Sequence, residues 1–351
     1  MTRKKISYAE KKVFIGIDVH RKFNVVTAIC EGVVVKRCRV DNSFESLMNL
    51  ISKYFDKAEV KTCYEAGFSG FWLHRKLTRA GVSNFVVNPA SIAVEANNRV
   101  KTDKRDSLKL AEQLSTGYLK SIYIPSEERE RSRLVPRTRE QLKKARHRLR
   151  VQIRMRLHHF GLFPKNHIGV LSNLQAKAII NDIEIVEIKS ALKMLLLQWI
   201  NLNTEISKLD KQIKAEGKDN KLESIYRTVP GIGWLSARIL ASELGDMKQF
   251  SNERSLSSYT GLTPSEYSSG EHTRRGHISK QGSRRLRAIL IECAWVAIRK
   301  DPALKKHYLQ LSKRRGGKIA IVAIARKLIC KVRAVIKNQE RYEINHIKKV
   351  A

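Results

Sequence analysis

Short apolar runs alternate with helix-spaced apolar positions through the first third of the chain. Strand-like runs occupy residues 13–18, 23–30, 33–40, 60–65 and 84–88. Apolar positions with helical spacing cover residues 44–55, 71–80 and 103–114. The second and third runs flank Glu31-Gly32, which predicts a hairpin. This pattern predicts a mixed α/β domain over residues 1–126.

The pattern changes at residues 127–220, which we expect to be helical. Residues 129–156 contain twelve Lys or Arg and two Glu, with one apolar face of helical spacing. A heptad seam follows at Leu192, Leu195, Trp199, Leu202, Ile206, Leu209 and Ile213. The two segments fit an antiparallel hairpin, a coiled coil between protomers, or a plain helix packed on the core.

Residues 221–351 are expected to form a third, mostly helical domain. The turn Pro230-Gly231-Ile232-Gly233 precedes an apolar helix at 234–244, and further helices are predicted at 283–299 and 319–337. A Gly-x-Gly turn before a helix presents backbone N–H groups to phosphate, as in a helix-hairpin-helix element, although alone it is a weak signal. A Ser/Gly-rich loop is predicted near 261–283.

Charge narrows the function classes. The 351 residues include 69 Lys or Arg against 33 Asp or Glu, a formal charge of +36. This imbalance favours a nucleic-acid partner over a merely cationic or membrane-surface protein. No apolar run reaches the length of a membrane span and no signal peptide is visible, so we expect a cytoplasmic protein without a membrane partner. The five cysteines contain no C-x-x-C pair, which argues against a zinc ribbon.

Four acidic residues stand out against this charge. Asp18 and Glu65 each end a strand-like run, and Asp103 and Asp106 begin a predicted helix at i, i+3 spacing, on one helix face. Carboxylates converging from strand ends and a helix start predict a site for Mg²⁺ or Mn²⁺, whose use would be phosphodiester chemistry. Singly, each acid also fits a helix cap, a first-turn residue or a solvated strand end.

Cationic and backbone groups extend this prediction to nucleic-acid contacts. The candidates are Lys101, Lys104, Arg105, Arg139, Lys143, Arg146, Arg150, Gly231, Gly233, Arg274, Arg275 and Lys280. Ser269 precedes Gly270 in the Ser/Gly-rich segment, near Arg274 and Arg275. An exposed serine beside cations fits a nucleophile that attacks phosphate, but most such loops have no catalytic role.

Five markers in order make the chain resemble the DEDD transposases of bacterial insertion sequences, of the IS110 and IS1111 type. The Piv-like DNA invertases are their relatives. The markers are Gly16-Ile17-Asp18-Val19, Tyr64-Glu65-Ala66-Gly67, Lys101 to Asp106, Pro230 to Gly233, and Gly261-Leu262-Thr263-Pro264 followed by Ser269-Gly270. The resemblance spans residues 15 to about 337.

The resemblance implies a fold, a site and partners. The N-terminal domain is expected to be RNase-H-like, similar to the RuvC junction resolvase, with the metal held by Asp18, Glu65, Asp103 and Asp106. The C-terminal domain is expected to supply Ser269, with Ser268 one position away, for a covalent phosphoserine bond to DNA. Implied partners are donor and target duplex DNA, a structured guide RNA and further copies in a dimer or tetramer, acting at the bacterial nucleoid.

Two other functions stay open at this point. A RuvC-like, structure-specific nuclease would use water as the nucleophile and leave free cleaved ends. A non-enzymatic nucleic-acid-binding protein would not depend on the four acids.

Overall fold

The computed structural model describes residues 7–93, 102–269 and 272–344. The chain divides into two compact units, Met1–Ile124 and Pro125–Ala351. Lys101 and Gly270 lie outside the described residues. Within the described parts, the first unit is mixed α/β and the second is mostly helical, as the sequence pattern predicts.

The described residues of the first unit form a five-stranded sheet and three α-helices. Its elements are β1 (Lys12–Val19), β2 (Phe23–Cys30), β3 (Val33–Asp41), α1 (Phe44–Tyr54), β4 (Glu59–Glu65), α2 (Trp72–Arg79), β5 (Ser83–Val87) and α3 (Asp103–Ser115). The strand order is β3-β2-β1-β4-β5. β1, β2 and β3 pair antiparallel, while β4 pairs parallel with both β1 and β5.

The central strand β1 separates two hydrophobic layers. Val13, Ile15 and Ile17 are buried in a cluster that also contains residues of α1 and α2. The alternate positions of β1 therefore face α3, since successive side chains of a strand point to opposite faces. A second cluster forms under α3, with Cys63 of β4 against Leu110. The sheet is thus covered on both faces, and the ends of β1 and β4 lie side by side.

Helix α3 lies almost in backbone contact with β1 at Gly16. A Cβ atom at Gly16 would lie 2.1 Å from the carbonyl oxygen of Ser107 and 2.5 Å from the amide nitrogen of Ala111. The hydroxyls of Thr27 and Ser107 form a buried hydrogen bond of 2.8 Å beside this contact. The thiol of Cys63 contacts the Leu110 carbonyl oxygen at 3.4 Å. Glycine at position 16 is therefore what allows α3 to reach the sheet.

The second unit begins with a pair of long helices. Its first elements are α4 (Glu127–Ser132), α5 (Leu134–His159), α6 (Asn173–Asn181) and α7 (Val186–Glu216). Arg139 of α5 pairs with Asp210 of α7, and Arg146 donates to Asn203 at 3.2 Å. Later residues of α5 contact earlier residues of α7, so the two helices run antiparallel. Trp199 of the predicted seam is buried within this unit.

The rest of the second unit, as far as its residues are described, is a helical bundle with one β-hairpin. Its elements are α8 (Lys221–Thr228), α9 (Trp234–Leu244), α10 (Glu253–Thr260), β6 (Pro264–Ser269), β7 (His272–Ile278), α11 (Arg284–Lys300), α12 (Pro302–Arg315) and α13 (Gly317–Asn338). The predicted loop at 261–283 is wrong, because β6 and β7 pair antiparallel there. Backbone pairing in a hairpin needs no apolar pattern, so this polar segment gave no strand signal.

No helix within the described ranges combines the length and the apolar character that crossing a membrane requires.

The contact at Gly16 generates a stability prediction. Gly16→Ala places a methyl group against backbone atoms that cannot move without shifting α3, so the free energy of unfolding should fall by about 1–3 kcal/mol. Urea denaturation of the full chain measures this, and hydrogen exchange in β1 and α3 locates the effect. Gly67→Ala is the control, because its nearest neighbour would lie 3.9 Å away. Equal stability of the two variants would contradict the account of α3 packing.

Candidate metal site and nucleic-acid interface

The sheet carries Asp18 and Glu65 to the face that α3 covers. Asp18 is two residues beyond Gly16 on β1, and Glu65 is two residues beyond Cys63 on β4. Positions two apart in a strand share a face, so both acids lie on the face of Gly16 and Cys63. The parallel register pairs Ile17 with Tyr64, which places the two acids at the same level.

Helix α3 supplies Asp103 and Asp106 from its first turn. Thr102 holds the N-cap position and Asp103 is the first helical residue, so Asp103 is not the helix cap. Negative charge in the first turn of a helix is favourable because of the helix dipole, and this explains part of the local preference for acids. It does not explain why Asp103 contacts the end of β1.

That contact runs through His20, which the sequence analysis did not assign to the site. His20 Nε2 lies 3.1 Å from Asp18 Oδ2 and 3.3 Å from Asp103 Oδ2. Asp18, His20 and Asp103 each offer a ligand atom, and these atoms lie within 4.8 Å of one another. Asp18 and His20 are two residues apart at a strand end, and this spacing was a signal that could have revealed the pair.

Burial and like charge make Asp18 an unfavourable place for an anion. Burial raises the pKa of the Asp18 carboxyl, and the Asp103 and Asp106 carboxylates raise this pKa further, while His20 lowers it. Both α3 acids therefore lie within electrostatic reach of Asp18. A divalent cation between these groups would compensate the repulsion, since carboxylates are ligands that Mg²⁺ and Mn²⁺ prefer, and transition-metal ions also accept imidazole.

Only two of the four predicted acids belong to the described group of closely spaced ligand atoms. The group with ligand atoms within 4.8 Å contains Asp18 and Asp103 but, among the described residues, neither Glu65 nor Asp106. Glu65 is exposed at the end of β4, and Asp106 is half-buried one turn after Asp103. Lys104 and Arg105 are exposed on the same first turn of α3.

The predicted basic helix forms one wall of a groove in the second unit. The groove has a volume of about 1490 Å³, and Arg139, Lys143, Arg146 and Arg150 all line it. Residues of α9 and α11 line it as well. Nine Lys or Arg and three Glu form its walls, which leaves a strongly positive surface. A groove of this charge fits a nucleic-acid backbone.

Several of these cations have partners inside the chain. Arg139 pairs with Asp210, and Arg150 contacts His147 Nδ1 at 2.9 Å. Glu243 is buried and accepts two hydrogen bonds from Arg137, of 2.8 and 2.9 Å. The hydrogen bond to Glu243 raises the pKa of Arg137. These pairs fix the walls of the groove.

The two glycines of the predicted phosphate-binding turn have different environments. Gly231 has a φ of +89°, and a Cβ atom there would lie 2.2 Å from the carbonyl oxygen of Cys293 on α11. Its φ and its close packing against α11 therefore explain why a glycine is needed at position 231. Gly233 is the N-cap of α9, and a Cβ atom there would meet nothing within 4 Å. Of these two glycines, Gly233 is the one with open space beside it at the start of α9, where an anion could lie.

The candidate nucleophile lies at the end of a hairpin strand. Ser269 ends β6 and pairs with His272 of β7, and Ser268 pairs with Thr273. In the same hairpin, Arg274 pairs with Tyr267 and Arg275 with Glu266. Backbone hydrogen bonds hold the base of the hairpin, from Ser279 to Thr263 at 2.8 Å and from Ser283 to Tyr259 at 3.0 Å. Lys280 is exposed at this base, and its carbonyl oxygen accepts from Arg287.

Two family models match separate parts of this chain. Residues 15–161 match a family model of DEDD transposases, and residues 223–309 match that of the transposase IS116/IS110/IS902 family. A protein of Sinorhizobium fredii described as a transposase is 30% identical over 312 residues, covering 85% of this chain and 75% of the relative. The transposase for insertion sequence element IS1111A of Coxiella burnetii is 28% identical, covering 93% and 90%. That for IS1533 of Leptospira borgpetersenii is 25% identical, covering 94% and 97%.

An acidic cluster on the α/β unit and a basic groove in the helical unit are consistent with an enzyme that acts on nucleic acid. The chain belongs to the IS110-type DEDD transposases of insertion sequences. Transposases are enzymes that cut and rejoin DNA strands.

The electrostatics of Asp18 generate a metal-binding prediction. Because its pKa is raised, ionised Asp18 destabilises the fold, and this cost develops as the pH rises through its folded-state pKa. In EDTA at neutral pH, Asp18→Asn should thus melt no lower than wild type. Addition of Mn²⁺ should raise the melting temperature of wild type only, with about 2.7 kcal/mol gained at 100 times Kd.

Thermal unfolding of the full chain measures both effects. Asp56→Asn removes an exposed acid of the same unit and should keep the Mn²⁺ effect. The same Mn²⁺ response in wild type and Asp18→Asn would contradict a metal site at Asp18.

Proposed function

We propose that this transposase cuts and rejoins DNA through a covalent phosphoserine at Ser269, with a divalent-metal site formed by Asp18, Glu65, Asp103 and Asp106. The observation that carries the metal site is the convergence of Asp18 and Asp103 on one imidazole at 3.1 and 3.3 Å. The sheet order β3-β2-β1-β4-β5 supports an RNase-H-like, RuvC-related nuclease domain. We assign domains to residues 1–126, 127–220 and 221–351.

Each group has a defined part in the proposed reaction. The Ser269 hydroxyl loses its proton and attacks phosphorus, so that a Ser Oγ–P bond forms while the bond from phosphorus to a deoxyribose oxygen breaks. That oxygen leaves with a proton. Rejoining is the reverse attack by a strand-end hydroxyl, so no external energy source is needed. Asp18, Glu65, Asp103 and Asp106 would hold a Mg²⁺ or Mn²⁺ ion, which would supply charge neutralisation at the scissile phosphate. Lys104 and Arg105, exposed on the first turn of α3, would contact adjacent phosphates.

The basic groove is the proposed binding surface for a structured guide RNA and for DNA. Its positive charge exceeds what the internal carboxylates compensate, with nine cations against three Glu. Arg146 and Lys143 line the wall formed by α5, and Arg284 lines the wall formed by α11. Gly233 adds open backbone at the start of α9, where the helix dipole favours an anion.

We further propose that α5 and α7 assemble copies of the chain into a dimer or tetramer. The outward side of this helical pair keeps large apolar side chains in solvent, with Met155, Met194 and Leu197 exposed by 59%, 61% and 55%. In the antiparallel register, Met155 is level with Met194. Association would remove such a surface from water. A donor and a target duplex also require more than one cleavage site.

The phosphoserine proposal predicts a covalent protein–DNA species. Wild type incubated with labelled insertion-end DNA, guide RNA and Mg²⁺ should give a slow, protease-sensitive band on a denaturing gel. Ser269→Ala should abolish the band, because no hydroxyl is left to bond phosphorus. Asp18→Ala should also abolish it, through loss of the metal.

Ser268→Ala is the matched control, and it should keep the band. Loss of the band in Ser268→Ala alone would move the nucleophile by one residue. Cleaved DNA with free ends and no such band, dependent on Asp18, would replace the phosphoserine mechanism with a water-dependent, RuvC-like nuclease. Unchanged activity of every variant would contradict an enzymatic role for these residues.

The groove proposal predicts a change in salt dependence. Lys143→Gln and Arg284→Gln each remove a cation for which the described contacts include no internal ion pair. Each should lower RNA affinity and reduce the slope of log K against log salt by about 0.7–0.9. Lys211→Gln removes an exposed lysine of α7 that does not line the groove, and should leave the slope unchanged. Equal effects of all three would point to nonspecific charge.

A further inference from the structure

We propose that His20 Nε2 is itself a ligand of the divalent cation, which makes the site a mixed nitrogen–oxygen site rather than a carboxylate-only one. This inference rests on the proposed metal site and adds a residue outside the four acids.

The imidazole lies where it could bind an ion together with Asp18 and Asp103. Octahedral bonds of about 2.1 Å place neighbouring ligand atoms about 3.0 Å apart. His20 Nε2 lies 3.1 Å from Asp18 Oδ2 and 3.3 Å from Asp103 Oδ2. Both separations are close to that of neighbouring ligand atoms in an octahedron, and all three ligand atoms lie within 4.8 Å of one another. A common centre within bonding distance of the three atoms would therefore require them to move closer to one another.

The His20 ring is held in place by contacts independent of the acids. Its backbone N–H donates to the Phe23 carbonyl oxygen at 2.9 Å, which closes the turn between β1 and β2. The imidazole packs against the Phe23 ring, with ring centroids 4.7 Å apart. The Arg39 guanidinium lies over the Phe23 ring at 3.4 Å. The ring is thus preorganised, which lowers the entropic cost of binding an ion.

A nitrogen ligand changes which ion the site prefers. Mg²⁺ favours oxygen ligands and retains its waters, whereas transition-metal ions accept imidazole more readily. Coordination through Nε2 requires its lone pair, so the ring proton lies on Nδ1 in the bound state. His20 should therefore contribute more to the binding of Mn²⁺ than to that of Mg²⁺.

Pulsed EPR on the full chain loaded with one equivalent of Mn²⁺ tests this directly, because it detects a nitrogen nucleus bonded to the ion. Wild type should show a histidine nitrogen coupling that shifts when histidine nitrogen is isotopically labelled. His20→Gln should lose the coupling and raise the Mn²⁺ dissociation constant at least about tenfold, with a smaller change for Mg²⁺. His159→Gln removes an exposed histidine of the second unit and should retain the coupling.

Two failures are distinguishable. If Mn²⁺ binds in an Asp18-dependent manner but wild type shows no nitrogen coupling, or His20→Gln retains it, His20 is not a ligand while the metal site stands. If no Mn²⁺ binding depends on Asp18, both the inference and the proposed metal site are overturned. Circular dichroism of His20→Gln and Asp18→Asn controls for loss of fold.

Discussion

The near contact between helix α3 and strand β1 determines the candidate site. At Gly16 the two backbones approach so closely that a single Cβ atom would lie 2.1 Å from the Ser107 carbonyl oxygen. Since α3 begins at Asp103, four residues before Ser107, the depth of this contact sets where its first turn meets the end of β1. Asp18 lies there, and burial raises the pKa of its carboxyl, with a further increase from the Asp103 and Asp106 carboxylates and a decrease from His20. Close packing thus creates the electrostatic repulsion that a cation would relieve.

In the second unit, many cations lie close together on facing helices, and their mutual repulsion must be compensated. Buried Glu243 is contacted by three arginines. Arg133 is the N-cap of α5, Arg137 lies in α5, and Arg285 lies in α11. Removing one partner of such a buried cluster leaves a charge uncompensated, so these groups act as structural ties. Arg139 and Lys144 pair with Asp210 and Glu140, whereas the described contacts include no ion pair for Lys143 and Arg284 of the groove. Ion-paired cations thus stabilise the walls of the groove, and the cations outside those pairs keep it positive in a chain of charge +36.

The sequence predicts local elements well and long-range placement poorly. Strands β1 to β5 and helix α3 fall within one or two residues of their expected bounds, because alternating and helical apolar patterns record which face is buried. The β6–β7 hairpin was missed, since its pairing uses backbone groups in a polar, Ser- and Gly-rich segment. Helix α12 was not anticipated because only Leu304 of its residues is buried, so its apolar pattern is weak.

The same limit applies to the site. Motif spacing identified four acids, but whether they converge depends on contacts such as Gly16 to Ser107 that no local pattern contains. His20 was visible only as part of a basic tripeptide after Asp18, and its contact with Asp103 joins residues far apart in the chain. Gly231 was assigned to phosphate on the strength of a short motif, whereas its contact with Cys293 gives it a packing role.

Anomalous diffraction from crystals soaked in Mn²⁺ is the most direct test of the central claim. The account predicts one strong peak about 2.0–2.3 Å from carboxylate oxygens of both Asp18 and Asp103. Absence of a peak there, with Mn²⁺ ordered elsewhere on the molecule, would contradict it.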